Sequence, residues 1–305
     1  MPGDTLIIGL SPDSLPLHQL HPAILPDEAG NNDIAGAVFL ISFFAVVVGI
    51  PFLFHWLRIK YYQKQAFRAA ETALENNYAQ YDDWLTAYNG YYQTLPAHLR
   101  RRFLERTAWF IATKNFNCVN LAADERMPLL ISAASVQISF GLDKYLLDFF
   151  DTVYIMRGHY NYGSFEKPFQ GHVSSEGIYL SWDNFLKGYE NYTDADNVGI
   201  HEMAHALAYV NFMAGANSAQ DEAFKQRFYD FSAVARPVFN AMQTGATNLL
   251  NPYAASNYNE FWAVAVETFF EQPLHMKLQM PDLYTSLCML LNQDPLTAEK
   301  LLTVI

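Results

Sequence analysis

The chain has 305 residues, 51 % hydrophobic and 15 % aromatic, ample for a packed core in one large domain or two small ones. A formal net charge of −12, with no basic run longer than Arg100–Arg102 and no DNA- or RNA-binding motif, speaks against nucleic acid as a partner. The only cysteines, Cys118 and Cys288, form no CxxC pair and no disulfide framework, so they read as core residues of a protein in a reducing compartment.

Residues 1–33 hold five prolines and five acidic residues but no Lys or Arg, which reads as a short, poorly ordered extracytoplasmic tail. Residues 34–57 contain no Asp, Glu, Lys or Arg over 24 positions, more than the ~20 residues a helix needs to cross a bilayer. His55 and Trp56 stand at the interfacial end, and Arg58, Lys60, Lys64 and Arg68 follow. The positive-inside rule then puts the N-terminus outside and the bulk of the chain on the cytoplasmic side of the inner membrane. A cleaved signal peptide fits poorly, because its leader is basic and a small-residue cleavage site follows it.

Residues 58–89 look helical, and 58–87 are taken as a juxtamembrane segment ahead of a catalytic domain at 88–305. Helices are expected at 96–113, with Pro96 near the start, and at 124–140. Residues 151–156 (DTVYIM) and 177–182 (GIYLSW) have strand composition, with a Gly- and aromatic-rich loop between them. A helix follows around residues 198–210, then one near 218–243, a turn-rich stretch (GATNLLNPYAASNYN), a helix at 260–271 that stops before Pro273, and a last helix at 281–293. The fold class is α+β, helix-rich with a small sheet.

The most informative segment is His201-Glu202-Met203-Ala204-His205. On a helix, positions i and i+4 share a face one turn apart, so both imidazoles can reach one metal ion. Glu202 then sits where it can take a proton from a water, the arrangement of a zinc peptidase. Asp194, Asp196 and Asn197 are suitable caps before Val198, and the helix is otherwise apolar nearly all round, which marks it as buried. Buried ionisable groups need partners, and a metal supplies one.

Catalytic zinc takes three protein ligands and keeps an open position. The extended signature HExxHxxGxxH is absent, since position 208 is Ala and no His lies near 211. Candidates for the third ligand are Asp221, Glu222, Glu260, Glu267, Glu271 and His275. Glu260 and Glu267 are the best two, but seven residues on a helix separate them by about 10 Å along the axis, so only one can serve. Each has a bland alternative: Asn257-x-x-Glu260 has capping-box spacing, and Glu267 with Glu271 could form a solvent-facing stripe. Residue position alone leaves both open.

From about residue 88 onward the chain resembles the Mlc titration factor A family of zinc metallopeptidases, also called glucose-regulated metallopeptidases. The resemblance rests on LPAHLRRRFLERTAWFIATKNF, DERMPLLISAASVQISFGL, DTVYIM, GIYLSWDNF, HEMAH, NPYAASNYNEFWAVAVETFFEQP and PDLYTSLCMLLNQDP, in this order. It implies a zincin-like domain of the gluzincin type whose third ligand is a Glu with a Tyr seven residues before it, similar to the catalytic domain of anthrax lethal factor. Here Tyr253 precedes Glu260 by seven. The resemblance therefore implies one zinc ion on His201, His205 and Glu260, Glu202 as general base, and Tyr253 as the electrophile that donates to the oxyanion. Glu267 becomes the candidate that orients a ligand His through its other ring N–H.

The expected function is a membrane-anchored zinc peptidase acting on a peptide or protein and held in the bilayer by one span. The strand at 177–182 is expected to form the rim of its cleft, where an extended substrate adds by main-chain hydrogen bonds. The alternative is a membrane-tethered regulatory protein that captures a transcriptional repressor or other partner and carries an idle or structural zinc site. The intact Glu202 favours the enzyme, since a structural site has no need of a base. An intramembrane metalloprotease fits poorly, because Asp194, Asp196, His201, Glu202, His205, Asn211 and Asn217 crowd the apolar window and no other convincing span follows residue 57.

Overall fold

The structure, a computed structural model, describes residues 29–163, 168–215 and 220–297, so residues 1–28 of the expected tail lie outside the description. The chain divides after Lys60 into two compact units.

In the first unit, helix α1 (Ala29–Phe44) starts ahead of residue 34, passes through a π-helical turn (Ala45–Gly49) and continues into α2 (Ile50–Tyr88). The π turn lies directly before Pro51, whose missing N–H and bulky ring disturb the helical ladder just upstream. This is the one helix among the described residues that is long and apolar enough to cross a membrane, and none of its most apolar window is buried. Phe39 is 70 % and Phe54 72 % exposed. An exposed apolar surface of this size marks a contact with a membrane or with another apolar surface.

The second unit begins at Tyr61, within α2, whose Ala70, Leu74 and Leu85 are buried. The short α3 (Gly90–Thr94) is capped by Asn89, whose Oδ1 accepts from Tyr92 N at 2.7 Å. Helix α4 (Ala97–Ala112) leads into β1 (Asn115–Val119), and α5 (Arg126–Ser139) carries the chain across to the parallel strand β2 (Thr152–Met156). β3 (Gly171–Ser174) and β4 (Gly177–Ser181) form a hairpin, and the sheet order is β1-β2-β4-β3, with only β3 antiparallel. Then come α6 (Trp182–Glu190), α7 (Val198–Phe212), α8 (Glu222–Gln243), a 3₁₀ turn (Pro252–Ala255), α9 (Tyr258–Glu271), α10 (Pro273–Gln279) and α11 (Pro281–Leu291). This is the helix-rich α+β arrangement with a small sheet that the sequence implied.

Three helices that are apolar nearly all round, α5, α7 and α9, pack at the centre. Such helices have no face to give to water and must be enclosed. Trp262, on α9, donates its indole N–H to Ala204 O on α7 at 2.9 Å, fixing the pair in register. Glu267 and Glu271 are only 5 % and 6 % exposed, so the solvent-facing stripe considered for them does not exist. The strand at 177–182 is β4, an interior strand paired on both sides, and the sheet's edge on this side is β3. The rim expected of β4 therefore falls to β3.

Candidate metal centre

Helix α7 starts where Asn197 turns its Oδ1 to accept from Ile200 N at 3.1 Å. One turn later His201 and His205 project from the same face, as their spacing requires. Their Nε2 atoms are 3.1 Å apart. Glu260, in the first turn of α9, brings Oε2 to 3.0 Å from His201 Nε2 and 3.4 Å from His205 Nε2. A tetrahedral zinc with bonds of about 2.0–2.1 Å spaces its ligand atoms about 3.3 Å apart, so this triangle has the size of one face of such a site. The donor set fits as well: two imidazole nitrogens and a carboxylate oxygen converging on one point leave a position for a cation. Among the described residues this is the one group of three or more His, Cys, Asp or Glu side chains close enough to hold a metal.

The capping-box alternative for Glu260 is half realised. Asn257 Oδ1 accepts from Asn259 N at 2.9 Å and from Glu260 N at 3.1 Å, but the Glu260 carboxylate turns to the histidines. The other third-ligand candidates lie elsewhere. Asp221 caps α8 through Phe224 N at 3.0 Å, Glu222 pairs with Lys225 at 3.0 Å, and His275 is exposed on α10.

Glu267 lies behind the cluster. Its Oε2 is 3.1 Å from His201 Nδ1, and its Oε1 accepts from Asn197 N at 3.0 Å. Asn197 also donates from Nδ2 to Glu271 Oε1 at 2.9 Å. One asparagine thus caps the helix bearing both histidines and ties it to both buried glutamates of α9. The sequence marked Asn197 as a cap, but its links to Glu267 and Glu271 join residues about 70 positions apart that no local pattern reveals.

The electrostatics follow from burial and these partners. Burial opposes charge on His201, but the Glu267 and Glu260 carboxylates outweigh it and hold its pKa well above that of an ordinary imidazole. Burial also works against charge on Glu260, where hydrogen bonding to the two histidines prevails and depresses its pKa. Glu202 is 5 % exposed, its Oε2 has no partner, and burial lifts its pKa to about 7. Gly171 of β3 makes room for it: a Cβ there would lie 2.5 Å from Glu202 Cγ. Tyr253 stands on the 3₁₀ turn, 54 % exposed, with its ring centroid 6.3 Å from that of His201. Partial burial raises its pKa, and the carboxylates of Glu260 and Glu202 raise it further, so the phenol keeps its proton as a donor.

The cleft has two arms that share Phe169, Gly171, His201, Glu202 and Tyr253. One, of about 770 Å³, opens on the side of His205 and Glu260, and the other, of about 760 Å³, on the side of Glu267. Edge strand β3 contributes to both, with His172 and Val173 in the first arm and Gly171 in each. A larger cavity of about 1080 Å³ lies between α8 and α11 and contains none of these groups.

A family model described as glucose-regulated metallo-peptidase M90 matches residues 62–290. An uncharacterized protein of Synechocystis sp. is 23 % identical over 214 aligned residues, covering 64 % of this chain and 76 % of that protein. The match runs through the sheet, the two histidines of α7 and the glutamates of α9, and the chain belongs to the glucose-regulated metallo-peptidase M90 family.

Proposed function

We propose that this protein is a membrane-anchored zinc peptidase that hydrolyses peptide bonds, with one zinc ion on His201, His205 and Glu260. The observation that carries the reading is the convergence of two Nε2 atoms and one carboxylate oxygen within 3.4 Å of one another, beside a buried glutamate whose Oε2 has no partner. Membership in a metallopeptidase family supports it.

Zinc bound there would supply Lewis acidity, polarising a carbonyl oxygen and acidifying a water molecule. The chain's own groups do the rest. Glu202 takes a proton from the attacking water and returns it to the leaving amine. Tyr253 donates its O–H to the oxygen that gains negative charge. Glu267 accepts from His201 Nδ1, which fixes the tautomer that leaves Nε2 free to bind metal. Edge strand β3, alongside Glu202, offers its main chain to an extended peptide.

The proposed organisation is a tail at 1–33, a transmembrane helix at 34–57, a juxtamembrane helix at 58–87 and the peptidase domain at 88–305. The acidic tail before the span and Arg58, Lys60 and Lys64 after it support an outside N-terminus and a cytoplasmic catalytic domain at the inner membrane. The test is zinc analysis of the full chain together with cleavage of a peptide library. One zinc per chain and chelator-sensitive cleavage are expected. A zinc-loaded chain that cleaves nothing would leave the protein as a partner-binding regulator instead.

A further inference from the structure

One basic side chain faces the cleft. Arg236, on α8, is the only Arg or Lys among the described residues lining either arm. Beside the histidines, the other ionisable groups that line the two arms include the carboxyl groups of Glu202, Glu260, Glu267 and Asp196, and the whole chain carries −12. Arg236 sits in the arm on the His205 side, with its guanidinium carbon 4.5 Å from the ring centroid of Tyr258, two residues before Glu260. Tyr258 is itself held by Phe239 and Phe261, with ring centroids at 5.5 and 5.9 Å. Among the described residues Arg236 forms no salt bridge. Three arginines of the same unit are held by hydrogen bonds: Arg106 donates to three main-chain carbonyls, Arg126 to Asp124 and Arg227 to Leu290 O.

A guanidinium lying on an aromatic face keeps the edge of its fork free, and that fork matches a carboxylate with two parallel N–H···O bonds. The tyrosine platform limits the orientations it samples, so less freedom is lost on binding. Arg236 is itself exposed, and Phe212, Phe228 and Trp262 line the same arm, where apolar side chains of a peptide can lie. We propose that Arg236 sets specificity, binding a carboxylate of the peptide in the His205-side arm, so that the preferred substrates carry one close to the scissile bond. The carboxylate comes either from an acidic side chain or from the peptide's own C-terminus. This inference rests on the peptidase reading.

The test uses the zinc-loaded, detergent-solubilised full chain with Glu202→Gln, so that bound peptide is not consumed. Fluorescence anisotropy compares three randomised peptide pools: neutral with a C-terminal amide, the same with one Glu, and the same with a free α-carboxylate. Binding of one carboxylate pool about tenfold or more tighter than the neutral pool is expected. Adding Arg236→Gln should bring that ratio near one, Arg236→Lys should restore part of it, and rising salt should shrink it. The pool that shows the preference identifies the source of the carboxylate. Equal binding of all pools, no binding of any, or a ratio unchanged in Arg236→Gln of native melting temperature overturns the proposal. Cleavage of the same pools by the wild-type chain is scored separately. Cleavage without carboxylate preference defeats this proposal alone, and preferential binding without cleavage defeats the peptidase reading alone.

Discussion

Two of the side chains proposed to act at this centre, Glu202 and His201, are set by neighbours outside the chemistry. Gly171 leaves the space that Glu202 fills, and a methyl group there would meet Glu202 Cγ at 2.5 Å and Oε1 at 2.7 Å. Gly171→Ala is therefore expected to displace the base and lower kcat by about 100-fold without loss of zinc, a combination read by kinetics beside metal analysis. Glu267 reaches only the far nitrogen of His201, so Glu267→Ala should weaken zinc binding by about 10–100-fold. Glu260→Ala, which removes a ligand oxygen, should abolish stoichiometric zinc. Competition with a chelating dye measures both, and the reverse order of severity would exchange the roles of the two glutamates.

At the level of elements, α9 couples the site to the stability of the core. Burial lifts Glu271 to about 8 from its ordinary 4.5, its hydrogen bond from Asn197 works the other way, and the charge of Glu267 adds to the rise. Between those values the folded chain holds a proton that the unfolded chain has lost. The stability this contributes is full below about pH 4.5 and is lost as pH rises through about 8, a slope of at most about 1.4 kcal/mol per pH unit. Glu271→Gln should flatten that decline in melts of the metal-free chain recorded from pH 5 to 9. The long apolar helices, the i, i+4 histidines and the cap at Asn197 were legible in the sequence because each is a local pattern. β1 was not, since its asparagines at 115 and 117 disguise the alternation, and β3 was not, since it has four residues and begins with glycine. Helix α6 was hidden by Gly188, although Ser181 caps it through Asn184 N. α8 (Glu222–Gln243), expected near 218–243, runs through Pro237 without a break. Glu260 could be preferred over Glu267 only by family resemblance, because their separation on the helix says which two cannot act together and not which one acts.

For the whole molecule, metal binding and folding are linked. An ion that binds only the folded chain stabilises it by mass action, by about 2.7 kcal/mol at a hundredfold excess over Kd. Chelation should accordingly lower the melting temperature of the wild-type chain, zinc should restore it, and Glu260→Ala should show neither change. The exposed apolar helix should keep the full chain in the pellet after alkaline extraction of membranes, while detergent releases it. The most direct measurement of the proposed activity compares peptide cleavage by the zinc-loaded full chain with that by the zinc-loaded Glu202→Gln chain. Cleavage by the first, and a loss of at least about 100-fold in the second at equal zinc content, is the expected result. Equal cleavage by both at one zinc per chain would contradict a glutamate-based zinc peptidase.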